Sequence, residues 1–129
     1  MSELNKESII GITALLVHAA NIDEIYSDHE KNLIKDFIKS YLKNDDENEI
    51  LKLAEEIEKN SNQLLNFTSI IKKNSMGVKK DIIEHLWKVI ISDNSVDQYE
   101  SNLMRRVCGL IYFPDKECGE IKLKLLNSK

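Results

Sequence analysis

Carboxylates recur in this chain in one arrangement that occurs twice, 70 residues apart. Asp23-Glu24-Ile25-Tyr26-Ser27-Asp28-His29-Glu30 is echoed by Asp93-Asn94-Ser95-Val96-Asp97-Gln98-Tyr99-Glu100. In each copy an Asp is followed four positions on by a residue able to cap a helix, and three positions later by Glu. Grouped carboxylates are the donors that hard divalent cations take. The same side chains also satisfy backbone N–H groups at helix starts. Asp23, Glu30, Asp93 and Glu100 therefore have two readings, as ligands and as caps.

Capping explains part of the pattern. Ser27-x-x-Glu30 and Asp97-x-x-Glu100 have the spacing of a capping box, and negative charge in a first turn complements the helix dipole. Asp23 and Asp93 are different. Each follows the C-terminal end of an apolar helical stretch, where the dipole repels an anion by ~0.3–1 kcal/mol. Two unfavourable placements at equivalent points call for something positive nearby. A metal ion, a basic side chain or the N–H groups of an Asx-turn would each serve, and the residues alone leave these open.

Other chemistries are not supported. From Asp93 the spacing imitates an EF-hand through Ser95 and Asp97, but Gln98 stands where that loop needs Gly, and Met104 where it needs a bidentate Glu. No Glu-x-x-His occurs, so a ferritin-like di-iron bundle has no ligands. His18, His29 and His85 have neither HExxH nor zinc-finger spacing and read as structural or surface residues, with only His29 adjoining an acidic turn. There is no Walker loop, dinucleotide fingerprint or nucleophile elbow. Cys108 and Trp87 lie at helical spacing among apolar residues and read as core. No enzyme is expected.

The elements that must position the carboxylates are helices. Ile9, Ile12, Leu16 and Ala19/Ala20 mark the first by their spacing of three and four. Leu33, Ile34, Phe37, Ile38, Tyr41 and Leu42 mark a second starting near Ser27. Asp46-x-x-Glu49 opens a third, with Ile50, Leu53, Ala54 and Ile57 on its apolar stripe. A fourth carries Leu64, Phe67 and Ile71 and ends near Asn74. Ser75 caps a fifth with Val78, Ile82, Leu86, Trp87 and Val89/Ile90 inward. The sixth runs from about Asp97 to Leu110/Ile111 and is broken at Phe113-Pro114. A last short helix carries Ile121, Leu123 and Leu125/Leu126. No segment alternates as a strand would. The expectation is all-α: a single compact domain, 1–129, of about seven helices. Sliding residues 12–37 by 70 pairs Ile12 with Ile82, Leu16 with Leu86, Asn32 with Asn102 and Leu33 with Leu103. That agreement predicts a pseudo-twofold duplication of a helix–acidic turn–helix unit.

The 129 residues suffice for a hydrophobic core without staples. A net charge of −4 offers no long-range attraction for nucleic acid, and Lys72-Lys73 and Lys79-Lys80 read as solvated helix faces. Met1–Ser8 lacks the basic start of a secretory signal, and Ile9–Ala20 is too short to span a bilayer, so no direct membrane insertion is expected. Two cysteines without CxxC spacing suit a reducing, cytoplasmic setting.

Three stretches carry a resemblance to the tellurite-resistance protein B (TerB-like) family. They are Ala14-Leu15-Leu16-Val17-His18-Ala19-Ala20 leading to Asp23 and Glu30; Leu64-Leu65-Asn66-Phe67-Thr68; and Leu86-Trp87-Lys88-Val89-Ile90-Ile91-Ser92-Asp93 leading to Glu100. The similarity covers roughly residues 8–113. The chain departs from the family's turns, which carry Gly where this sequence has Glu24 and Asn94; Asn tolerates a left-handed backbone and Glu does not. The resemblance implies an all-helical domain with a shared acidic face. It also implies a divalent metal ion held by carboxylates, here Asp23, Glu30, Asp93, Asp97 and Glu100, in a non-enzymatic module tied to tellurite or stress resistance. Family members also occur as domains on membrane-bound or co-chaperone proteins, which implies a protein partner, membrane-associated in some cases. The contrasting expectation is a metal-independent adaptor whose acidic face docks a basic segment of a partner.

Overall fold

The computed structural model describes residues 5–21, 27–60, 65–91 and 98–127, and among them every regular element is a helix. In order they are α1 (Lys6–Asn21), α2 (Asp28–Tyr41), α3 (Glu47–Asn60), α4 (Leu65–Lys72), α5 (Met76–Ile91), α6 (Gln98–Leu110) and α7 (Asp115–Asn127). The all-α expectation holds, and the starts at Ser27, Asp46 and Ser75 fall where the capping residues place them. Asp46 Oδ1 accepts from Asn48 N–H at 2.9 Å, and Ser75 Oγ from Val78 N–H at 3.4 Å. Each meets a backbone donor that a helix start leaves unbonded.

The core is built around α1. Ile9, Ile12, Ala14, Leu15, Leu16, Val17, Ala19 and Ala20 are all within 1% of full burial, so nearly the whole circumference of the helix is covered. A helix apolar all round must sit inside the domain, and α1 packs on α2, α3, α4 and α5. Gly11 allows α4 its close approach: a Cβ there would meet Ile70 Cδ1 at 2.5 Å. Helix α5 forms the second spine, burying Ile82, Ile83, Leu86, Trp87, Val89, Ile90 and Ile91, and it packs on α1, α2, α4 and α7. The helices that a duplication would equate, α1 and α5, thus touch each other and share α2 and α4, while α3 packs on α1 and α7 on α5. The two-halves reading is not established by this packing.

Two surface expectations change. Lys79, expected on a solvated face, is buried, because it lies on the same stripe as Ile82, Ile83, Leu86 and Ile90. A lysine's methylene stem can be covered in such a position. On α3, Ile50, Leu51 and Ala54 are buried, but Leu53 and Ile57 stay about 40% exposed. These two line an apolar groove of about 460 Å³ with Ile10, Gly11, Phe67 and Ile70. Leu123 is likewise exposed on α7.

The break at Phe113-Pro114 is a tight helix reversal. Phe113 N–H bonds Cys108 O at 2.8 Å and Tyr112 N–H bonds Gly109 O at 3.4 Å. This pair of bonds is a Schellman motif, whose left-handed position Tyr112 occupies at φ 60°. Pro114 immediately precedes α7, its carbonyl accepting from Cys118 N–H at 3.1 Å. Glycine is usual at the left-handed position because a Cβ there costs roughly 1–2 kcal/mol. The Tyr112 side chain is largely exposed, and the Lys72 ammonium sits 4.7 Å from its ring centroid, a contact worth roughly 0.5–1 kcal/mol. Relief of the backbone cost exceeds loss of that contact. Tyr112→Gly is therefore expected to stabilise the protein by up to about 1 kcal/mol in urea unfolding. Destabilisation would mean that the Lys72 contact outweighs the backbone term.

Candidate functional site

At the start of α2, Ser27 has an extended backbone (φ −79°, ψ 163°) and a reciprocal capping box with Glu30. Ser27 Oγ accepts from Glu30 N–H at 3.2 Å, while Glu30 Oε1 accepts from Ser27 N–H at 2.9 Å and lies 3.2 Å from Ser27 Oγ. Glu30 is only 5% exposed. A carboxylate so buried needs donors, and the cap supplies them. The local spacing read from sequence is realised here atom by atom.

Glu30 is the one predicted ligand whose side chain is described. Asp23, Asp93 and Asp97 lie outside the described residues. Glu100 falls in the first turn of α6, and its side chain is outside the described set. Among the described residues no group of three or more His, Cys, Asp and Glu side chains is arranged to hold a metal ion.

Two further polar clusters join distant parts of the chain. At the C-terminal end of α1, His18 Nδ1 lies 3.2 Å from Glu58 Oε2, and Asn21 Nδ2 donates to Glu58 Oε1 at 3.3 Å. They tie the end of α1, just before the first acidic signature, to the last turn of α3. His18 is thereby a partly exposed structural histidine, as its isolated position in the sequence suggests.

The second cluster, Tyr41–Asp81–His85, bridges α2 and α5. Tyr41 donates its hydroxyl to Asp81 Oδ2. His85 Nδ1 lies 2.8 Å from the Asp81 carbonyl oxygen, which only accepts, so the proton sits on Nδ1. Asp81 Oδ1 lies 3.5 Å from the same nitrogen. The rings of Tyr41 and His85 both pack against Phe37, each with centroids 5.1 Å from it. Burial first, then the hydrogen bond and negative charge of Asp81, push the Tyr41 phenol well above its ordinary value. Sequence periodicity assigns Tyr41 to the apolar face of α2 and gives no sign of this partner 40 residues away. The arrangement is a partly buried tether between α2 and α5.

The only tryptophan also takes a polar partner. Trp87 is 3% exposed and donates its indole N–H to Cys118 Sγ at 3.3 Å. Cys108 is core, as expected, and the bond from Trp87 to Cys118 on α7 is not visible from spacing.

These features define a helical domain with caps and interhelical tethers at its helix ends. No described helix is long and apolar enough to cross a membrane. The family described as tellurite resistance protein TerB matches residues 10–123, and the chain belongs to that family. There is no significant match among curated proteins or among solved structures.

Removing the cap acceptor with Ser27→Ala is expected to cost ~0.5–2 kcal/mol, measured by chemical unfolding. Tyr41→Phe is expected to cost roughly 0.5–1.5 kcal/mol at neutral pH, the usual worth of one hydrogen bond. Its pH dependence has a definite sign. A phenol whose folded pKa is raised contributes fully below the unfolded value of ~10 and loses that contribution as pH rises toward the folded value. The stability gap between wild type and Tyr41→Phe should therefore narrow above pH ~10. A gap that widened there would contradict the raised pKa.

Proposed function

We propose that this chain is a non-enzymatic module related to tellurite or stress resistance that binds a divalent cation through its two acidic signatures. Asp23, Glu30, Asp93, Asp97 and Glu100 would supply the oxygen ligands. The observation that carries the reading is the family match itself. It runs over residues 10–123 and so includes both signatures. Carboxylates in that number suit a hard cation such as Ca²⁺ or Mg²⁺.

A second reading has its own support. Glu30 Oε1 is engaged by Ser27, so the cap accounts for that oxygen without a metal. On this reading the acidic turns form a docking face for a basic segment of a partner protein, in a cytoplasmic and metal-free role. Salt would weaken such docking by screening.

A titration with Ca²⁺, Mg²⁺ or Zn²⁺ followed by amide NMR shifts separates the two. Cation binding should move the amides around residues 23–30 and 93–100 together and saturate. Asp23→Asn and Asp93→Asn should weaken that binding while metal-free stability holds or rises slightly, because each deletes a negative charge next to a helix C-terminus. Unchanged cation affinity with a large loss of metal-free stability would make both aspartates structural. Amides that stay still in metal but move with a basic peptide would establish the adaptor.

A further inference from the structure

Helices α3 and α4 both rest on α1, and the apolar groove runs between them. Ile10 and Gly11 form its floor, Leu53 and Ile57 one wall, and Phe67 and Ile70 the other. Glu7, exposed in the first turn of α1, is the one charged residue among those that line it. Leu53 and Ile57 are spaced by four, so their side chains share one side of α3, and both stay about 40% exposed. Large apolar side chains in register on a helix form one half of a helix–helix contact. The described lining contains none of the acidic-signature residues, so this surface is separate from the one in the proposed function.

The charges beside the groove select its occupant. The exposed charged residues three or four positions from Leu53 are Glu49 and Glu56, whereas Lys52 and Lys59 lie further round the helix. Lys6, next to Glu7 in sequence, is matched by Asp45 Oδ1 at 3.1 Å. Lys73, three positions beyond Ile70, adds a cation on the α4 side. Among the described residues the rim thus sets Glu7, Glu49 and Glu56 against Lys73. A second copy packed through the same stripe about a twofold axis would bring Glu49 and Glu56 of both chains together, and like charges repel. An anionic lipid meets the same repulsion at its headgroup. A helix whose apolar stripe is flanked by Lys or Arg meets neither obstacle.

We propose that the α3–α4 groove docks a basic amphipathic helix of a partner protein. The apolar side chains of that helix seat on Leu53, Ile57, Phe67 and Ile70, and its Lys or Arg residues lie beside Glu7, Glu49 and Glu56. Apolar anchors supply the affinity of helix-in-groove recognition. The rim carboxylates speed encounter and fix the orientation of the partner helix, and salt weakens their share. The proposal does not depend on what the acidic signatures bind.

The experiment uses the full chain and two synthetic amphipathic peptides with the same leucine stripe, one carrying lysine and the other glutamate at the remaining positions. Amide NMR shifts give the place of binding, and fluorescence anisotropy of the labelled peptides gives affinity. The lysine peptide should shift the amides of Ile10, Gly11, Leu53, Ile57 and Ile70 saturably. It should bind at least about tenfold tighter than the glutamate peptide, by a margin that shrinks as salt is raised. Leu53→Ser combined with Ile57→Ser should weaken the lysine peptide at least about tenfold. Glu49→Gln combined with Glu56→Gln should narrow the preference between the peptides. Should the serine variant fold poorly, the two peptides on wild-type protein still decide. Equal affinity for both peptides, or lysine-peptide shifts confined to the acidic signatures, would overturn the proposal. So would groove shifts produced by raising the protein concentration alone, which indicate a second copy, or by phosphatidylglycerol vesicles in preference to the lysine peptide.

Discussion

The fold depends on burying one helix almost completely. Ten of the sixteen residues of α1 are buried, and they face every direction around its axis. Such a helix cannot lie on a surface; leaving it exposed forfeits ~1.5–3 kcal/mol for each large apolar side chain. Its neighbours α2, α3, α4 and α5 are placed by the need to cover it. Small residues govern how closely they come. Gly11, Ala14, Ala19 and Ala20 leave room for side chains from adjoining helices, and Ile70 uses that room over Gly11. With α1 enclosed, polar chemistry is pushed to the helix ends.

Several of those ends are secured by contacts that differ in kind. The head of α2 is fastened locally by Ser27 and Glu30, three residues apart. The end of α1 is fastened to α3 through Glu58, and the end of α2 to α5 through Tyr41 and Asp81. The α6–α7 corner combines a backbone reversal with the bond from Trp87 of α5 to Cys118 of α7. Local caps fix where a helix begins, whereas the interhelical bonds fix which helices meet. Both acidic signatures follow the apolar spines, α1 and α5, in the sequence.

How much was legible in the sequence follows from the range of each interaction. Helix starts at Ser27, Asp46 and Ser75 were readable because a cap and its donor lie within one turn. The inward faces of α1, α2 and α5 were readable because burial repeats every three or four residues. Leu53 and Ile57 show the limit of that signal: periodicity identifies an apolar face but not whether another helix covers its edge. Lys79 shows the converse, since its charge suggested solvent while its register with Ile82 and Leu86 placed it inside. Tyr41 with Asp81, and Trp87 with Cys118, were hidden because each partner comes from a different helix. Of the acidic site, the cap at Glu30 was legible; the repeated Asp signature carried the family resemblance, and Asp23, Asp93 and Asp97 lie outside the described residues.

The close approach at Gly11 has a consequence for the way this domain breathes. Helix α4 has eight residues, fewer than an isolated helix needs to persist in water. Its order is therefore lent by what it rests on, through Ile70 over Gly11 and through the buried Phe67 and Ile71. A segment of this kind opens as a unit when its support loosens, well before the domain unfolds. Opening it would widen the apolar groove beside Leu53 and Ile57, since Phe67 and Ile70 form one of its walls. The amides of α4 thus act as a gauge of α1, exchanging with solvent in proportion to how firmly the central helix is held.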